Sequence, residues 1–216
     1  MNITPDEAIT TEVGGTKDDW KWQGQMYQKF WNDHGLSQSK VDELLNKMSW
    51  AESGQRNIAQ DGSGHAKGYY QMESLTASGS FQTALNSYLN VTGQRKNPPK
   101  WVLEARKHDD ARRLSLDQQS EVALAAIYQD TNEGGSDKRL KAFKNNEPGA
   151  LRELWLNNWW KDTKAKPGET KQELEIRLDK KRDWFDGRIQ NYESKKSGTS
   201  FEDIVFDKIF EKDLFA

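Results

Sequence analysis

Apolar residues recur at the spacing of an α-helix through most of the chain, and no run alternates apolar and polar residues as a half-buried strand does. One stripe consists of Val41, Leu44, Leu45 and Met48, and it follows Ser39, which we expect to cap the helix. Further stripes follow positions 80, 99, 115 and 149, where a Ser, Pro or Gly marks a helix start. The chain is therefore predicted to be mainly α.

The low content of aliphatic residues raises the question of disorder. Disordered chains combine low hydrophobicity with a large net charge. Here 32 Lys and Arg balance 34 Asp and Glu, and nine Trp, eight Phe and six Tyr supply bulky side chains to bury. We therefore expect a folded protein whose core is built largely from aromatic residues.

The residue types exclude several kinds of chemistry. The chain has no Cys, which excludes disulfides, thiolate catalysis and cysteine zinc sites. His34, His65 and His108 are too far apart to form a local metal-binding motif, and we predict neither a metal ion nor another cofactor. No Gly-x-Ser-x-Gly motif supports a serine hydrolase.

Charge and hydropathy also limit the partners. The balanced charge argues against a dedicated nucleic-acid binder. No apolar run approaches the roughly 18 residues that a membrane-spanning helix needs. The first residues contain neither a basic nor an apolar region, so we expect no signal peptide.

The sequence predicts three parts. Residues 1–16 resemble an arm without a core, residues 17–160 form the main domain, and residues 161–216 form a helical extension. Nearly half of the extension is charged, which is typical of a solvated helix. Its last segment, 201–216, carries too many aromatic residues for a solvent-exposed helix, so it either folds back or docks on another protein, and we favour docking.

The extension also contains a narrow apolar seam, which we expect to pack against one neighbour. The seam consists of Leu174, Leu178, Phe185, Ile189 and Tyr192.

Glu52 is the first candidate for chemistry. Continuing the stripe from Val41 at helical pitch places position 52 only about 20° away from position 41, on the buried face. Burial beside Trp50 and the negative end of the helix dipole would raise the pKa of the Glu52 carboxyl group. An acid that keeps its proton near neutral pH suits cleavage of a glycosidic bond. Helical phase alone leaves a solvent-facing glutamate without function equally open.

The surrounding motif resembles a known family. Glu52-Ser53, a polar loop with Ala66 and Gly68, and then Tyr70-Gln71-Met72 resemble the soluble lytic transglycosylases of the lysozyme-like superfamily, especially their phage members. The resemblance covers roughly residues 41–75. It departs at His65, which stands where the family usually has Gly, and in a loop that is one residue shorter.

The resemblance implies a lysozyme-like helical domain that binds and cleaves peptidoglycan glycan strands. Glu52 would be the catalytic acid and base, and the substrate-binding residues would be Ser53, Gly68, Tyr69, Tyr70 and Gln71. From the residues alone, Gln71 could equally satisfy backbone groups, and one of the two adjacent tyrosines is expected to face the core.

The expected reaction is cleavage of the bond between N-acetylmuramic acid and N-acetylglucosamine, with closure of a 1,6-anhydro ring and no second carboxylate. A muramidase is the alternative, because Asp61 lies at a spacing seen in phage muramidases and hydrolysis commonly uses two carboxylates. Asp61 precedes Gly62, however, and is equally a turn residue. A third reading is an inactive structural virion protein with a lysozyme-like shape.

The resemblance also implies a place of action. A phage virion component would act on the host cell wall or in the periplasm, and residues 201–216 would bind other virion proteins. An endolysin is the neighbouring possibility.

Near the extension, Trp155 and Trp159 are predicted to be structural, and Trp160 is predicted to make an exposed contact.

Overall fold

The computed structural model describes residues 24–60, 65–73, 80–132, 137–160 and 162–197. Helices dominate this part of the chain, which confirms the mainly α prediction. The α-helices are α1 Gln25–His34, α2 Gln38–Ser53, α3 Ser80–Val91, α4 Lys100–His108, α5 Leu116–Asn132, α6 Asp137–Lys144, α7 Ala150–Leu154 and α8 Lys171–Ser197. A short 3-10 turn covers Ala111–Arg113, and a π-helical segment covers Trp155–Trp160.

Two strands of two residues each interrupt the helices. Strand β1, Ala66–Lys67, pairs antiparallel with β2, Met72–Glu73, and Ala66 faces Glu73 in the register. Strands this short give no alternating pattern, which explains why the sequence did not predict them. The turn between them carries the Gly68 to Gln71 segment that the family resemblance singled out.

The N-cap of helix α2 lies two residues before the predicted one. The Ser37 hydroxyl accepts a hydrogen bond from the Lys40 backbone N–H at 3.2 Å, so Ser37 rather than Ser39 is the N-cap. The two hydroxyl groups lie 2.9 Å apart, and both are suitable cap residues by type. The apolar stripe of α2 is fully buried as predicted.

Helix α5 lies at the centre of the core. It packs against α1, α3 and the π-helical segment, and every side chain from 122 to 127 is buried. The helix begins with a capping box, in which Gln118 N–H donates to the Ser115 hydroxyl and Ser115 N–H donates to the Gln118 side chain. The helix predicted to start at this position is therefore confirmed.

Helix α8 joins the core. Leu178 and Phe185 are buried in the same apolar cluster as the stripe of α2, and the Phe185 ring stacks on Trp155 at 4.7 Å between centroids. The predicted seam is therefore confirmed, but its single neighbour is not, because α8 contacts α2 and α7 as well as the π-helical segment. The boundary predicted at residue 160 is not a break in packing.

Some predictions fall on other parts of the chain. The arm at 1–16, the docking segment at 201–216 and Asp61 lie outside the described residues. In the part of the chain that the structure describes, each helix is too short or too polar to cross a membrane.

Candidate active site

Glu52 lies in the last turn of α2, one residue before the helix ends. Gly54 ends the helix in a left-handed conformation at φ 63°, where its N–H donates to the Trp50 carbonyl oxygen. The Glu52 side chain is partly buried and points toward the π-helical segment, as its helical phase predicted. There Trp155 Nε1 donates to Glu52 Oε1 at 2.6 Å, and the Trp159 side chain also hydrogen bonds to the carboxyl group.

The environment of Glu52 stabilises the protonated form of its carboxyl group. Desolvation by burial raises the pKa of Glu52 to about 7, although hydrogen bonds from Trp155 and Trp159 and the positive charges of Lys181 and Arg188 oppose the rise. Both protonation states are therefore well populated near neutral pH. A carboxyl group of this kind can donate a proton and later accept one.

The π-helical segment fixes the two tryptophans that contact Glu52. Trp155 is almost fully buried, and its ring stacks on Phe185. Trp159 packs edge-on against Tyr70 with 6.0 Å between ring centroids. These contacts hold both indole N–H groups in place, so they are pre-organised donors to the carboxyl group. Wider turns of the π type are often found at functional sites.

Helix α8 supplies the positive charges of the site. Arg188 Nε donates to the Ala51 carbonyl oxygen at 3.2 Å, and Nη2 donates to the Trp50 carbonyl oxygen at 3.1 Å. The guanidinium group thus supplies a donor to the Ala51 carbonyl and a second donor to the Trp50 carbonyl, which already accepts the Gly54 N–H. Lys181 is on the same helix, and its ammonium group lies over the rings of Trp160 and Trp184.

We call the turn between β1 and β2 the wall of the site, because it is bonded to the end of α2 directly after Glu52. The Ser53 hydroxyl donates to the Tyr69 carbonyl oxygen at 2.9 Å, which ties the turn to the end of α2. From α5, the Gln119 side-chain oxygen accepts the Tyr69 N–H at 2.8 Å, and its nitrogen donates to Asn57 at 3.1 Å. Gly68 has φ 85°, and a Cβ there would overlap the Gln119 side chain.

The structure buries four of the five residues predicted to bind the substrate. Ser53 and Tyr70 are 2% and 0% exposed, and Gly68 and Tyr69 are also buried, so they leave little side-chain surface for a sugar, and their contact with one stays a prediction. The Tyr70 hydroxyl instead hydrogen bonds with Ser120 at 2.8 Å. These residues hold the wall in place. Tyr69 is also buried, so both members of the tyrosine pair face inward rather than one.

Gln71 is more exposed than the other residues predicted to bind the substrate. Its side chain is partly exposed, and its backbone adopts the left-handed region at φ 46°, which is uncommon for a residue other than Gly. Gln71 Nε2 donates to the Gly68 carbonyl oxygen at 2.9 Å and to the Ile58 carbonyl oxygen at 3.2 Å. The backbone role considered for Gln71 is therefore present, and its contact with a sugar stays a prediction.

Trp155, Lys181 and Arg188 are site residues that the sequence did not reveal. Trp155 was predicted to be structural, and its burial agrees with that, but its N–H also binds Glu52. Trp160, predicted to be exposed, is partly buried and stacks against Trp155. The two cations belong to a charge-rich helix whose apolar seam indicates the inward face but does not show which charged residues reach the site.

The fold and the site define a mainly helical protein in which a partly buried glutamate at a helix end is bonded to tryptophan side chains. Within the described residues, no cluster of His, Asp and Glu is suited to a metal ion. In comparisons with known proteins, no family model, curated protein or solved structure matches the chain.

Proposed function

We propose that the protein is a peptidoglycan lytic transglycosylase that cleaves the β-1,4 bond between N-acetylmuramic acid and N-acetylglucosamine. The observation that carries this proposal is the Glu52 carboxyl group, which lies partly buried at the end of α2 with a pKa raised to about 7. The sequence motif from Glu52 to Gln71 supplies the substrate class by resemblance.

In the proposed reaction Glu52 acts twice. Its protonated form donates to the glycosidic oxygen as the bond from C1 of the muramic acid breaks. The resulting carboxylate then takes the proton of the 6-hydroxyl group on the same sugar while that oxygen bonds to C1. The proton returns to Glu52, the product carries a 1,6-anhydro ring, and no water is consumed.

The choice between one and two carboxylates depends on the sequence, because Asp61 lies outside the described residues. Among the described residues, the charged groups that act most strongly on Glu52 are the cations Lys181 and Arg188. A muramidase remains the second candidate, because the spacing of Asp61 in the sequence favours it. The two reactions differ in their products, which are anhydro ends for the transglycosylase and reducing ends for the muramidase.

We also propose a setting for this activity. As a phage virion component, the enzyme would open the host cell wall locally during genome delivery, and residues 201–216 would bind other virion proteins. This setting is supported by the resemblance to phage members of the family and by the aromatic residues of that segment.

The proposal is tested by clearing of a suspension of purified sacculi. The full chain should reduce the turbidity, and Glu52→Gln should abolish the effect because a glutamine side chain does not supply the proton. Glu104→Gln is the matched control, since the Glu104 side chain is 68% exposed on α4. Activity that survives Glu52→Gln would refute the assignment, and an inactive wild type would favour the structural virion protein.

A further inference from the structure

Lys181 occupies an aromatic cage next to Glu52. Its Nζ lies 5.1 Å from the ring centroid of Trp160 and 5.6 Å from that of Trp184. Trp155 packs against both of these rings, at 6.2 Å and 5.5 Å between centroids, and donates its N–H to Glu52. Trp155 thus contacts both the rings around the Lys181 ammonium group and the Glu52 carboxyl group.

This environment is unusual for a lysine on a charged helix. Lys181 is partly buried, whereas the adjacent Lys180 is exposed to solvent. Burial lowers the pKa of Lys181, while the charges of Glu52 and Asp162 oppose the decrease. A lysine loses hydration when it is buried, and the two indole rings over its ammonium group together with the charge of Glu52 offset that cost.

We infer that Lys181 is a positioning residue for the reaction of Glu52 and that helix α8 therefore forms part of the active site. This inference rests on the proposed function. Glu52 must release its proton in the first step and regain one in the second. Desolvation favours the protonated form of Glu52, and the ammonium charge of Lys181 favours the carboxylate. Lys181 therefore helps both protonation states of Glu52 to be populated near neutral pH.

Other charged groups face this pair, and they do not replace Lys181. Arg188 also acts on Glu52, but more weakly, and its guanidinium group is bonded to the carbonyls at the end of α2. Asp162, Lys166 and Arg177 act on Lys181 itself. The π-helical segment contributes uncharged Trp155 and Trp159 to the carboxyl group. Among the described residues, Lys181 is therefore the cation with the largest effect on Glu52.

The test compares Lys181→Met with two other variants of the full chain. Lys181→Arg keeps the charge, and Lys180→Met removes the same charge from the exposed neighbouring position. The titration of the Glu52 carboxyl carbon is followed by NMR, with the signal assigned by its loss in Glu52→Gln. The pH profile of sacculus cleavage is measured on the same proteins.

Lys181→Met should move both the titration midpoint of Glu52 and the basic limb of the pH profile upward by about one pH unit. Lys181→Arg should restore the wild-type values, and Lys180→Met should leave them unchanged. A second neutral variant, Lys181→Gln, replaces Lys181→Met if thermal unfolding shows that the methionine variant does not fold.

Unchanged titration and pH profile in the neutral variants of an active enzyme would overturn the inference and leave the proposed function intact. The inference is also overturned if Lys181→Arg behaves like Lys181→Met, because the charge is then not the cause. If the wild type does not cleave sacculi at any pH, the proposed function fails, and with it the role of Lys181 in a reaction. The NMR titration would still show whether the two side chains are coupled.

Discussion

At the scale of single residues, the protonation of Glu52 sets the pH dependence of the proposed reaction. The first step requires the protonated form, and burial raises the pKa of Glu52 to about 7. We expect kcat/KM to be nearly constant below that pH and to fall about tenfold per pH unit above it. Initial rates of sacculus cleavage across this range provide the measurement. A fall that begins near the ordinary pKa of a glutamate, about 4.3, would contradict this account.

The same carboxyl group affects the stability of the fold. A group whose pKa is higher in the folded state than in the unfolded state gives stability that is complete below its unfolded pKa and lost as the pH rises through its folded pKa. For Glu52 this loss spans the interval from its ordinary pKa up to about 7. Above that pH the buried carboxylate lowers the free energy of unfolding.

Glu52→Gln should therefore stabilise the protein at alkaline pH, by roughly 1–3 kcal/mol, because the amide carries no charge to desolvate. At pH 4 the variant and the wild type should unfold at similar temperatures. Thermal unfolding of both proteins at the two pH values measures the difference. Equal stability at alkaline pH would show that the carboxylate is well solvated in the folded state.

The residue scale also shows what the sequence could predict about the site. The helical phase of position 52 favoured the inner face of α2 but left a solvent-facing side chain open, and in the structure Glu52 points inward to Trp155. The phase does not reveal what the side chain meets there. Trp155 and Lys181 reach Glu52 only through the packing of distant parts of the chain, and no local pattern records that packing.

At the scale of elements, the turn between β1 and β2 depends on Gly68. Its φ of 85° disfavours any side chain, and the space beside it is occupied by the Gln119 side chain. Gly68→Ala should lower the free energy of unfolding by roughly 1–3 kcal/mol and weaken cleavage, because the turn would shift away from the end of α2.

Chemical denaturation measures the loss of stability in Gly68→Ala. Gly93→Ala is the matched control, since Gly93 also has a positive φ, of 70°, but no atom lies near the position of an added Cβ. Backbone strain should affect both variants, and the clash with Gln119 should add to the loss only at Gly68. Equal losses in the two variants would show that the close approach of Gln119 has no energetic importance.

Most helices could be predicted at this scale, and two kinds of element could not. Apolar stripes and capping boxes are local signals, so they located α2, α3, α5 and α8. The π-helical segment carries a stripe that fits an ordinary α-helix equally well, and its wider turn leaves no separate signature. The strands are too short to show a period of two.

At the scale of the whole molecule, helix α8 completes the core and the site together. Arg152 on α7 pairs with Asp186 at 2.6 Å, and Arg182 pairs with Glu153 at 3.1 Å, so ion pairs fix α8 beside the buried contact of Phe185. Its high charge predicted a solvated extension. That prediction describes the outer face of the helix, and the predicted seam describes its inner face. The seam does not show that α8 packs against α2, α7 and the π-helical segment together, because such packing leaves no local pattern.

Two truncated chains test the role of α8. A chain that ends at residue 160 exposes the partners of Phe185 and loses Lys181 and Arg188, so we expect neither cooperative unfolding nor cleavage. A chain that ends at residue 200 keeps α8 and loses only the predicted docking segment, so we expect it to unfold and cleave like the full chain. Cooperative unfolding of the shorter chain would show that α8 is an appendage.

The most direct measurement of the central claim is mass spectrometry of the fragments that the full chain releases from purified sacculi. The account predicts fragments with 1,6-anhydro-muramic acid ends from the wild type and none from Glu52→Gln, because this one carboxyl group both donates and regains the proton. Reducing ends would identify a muramidase instead. Fragments that Glu52→Gln releases as well would contradict the assignment of Glu52 as the catalytic acid.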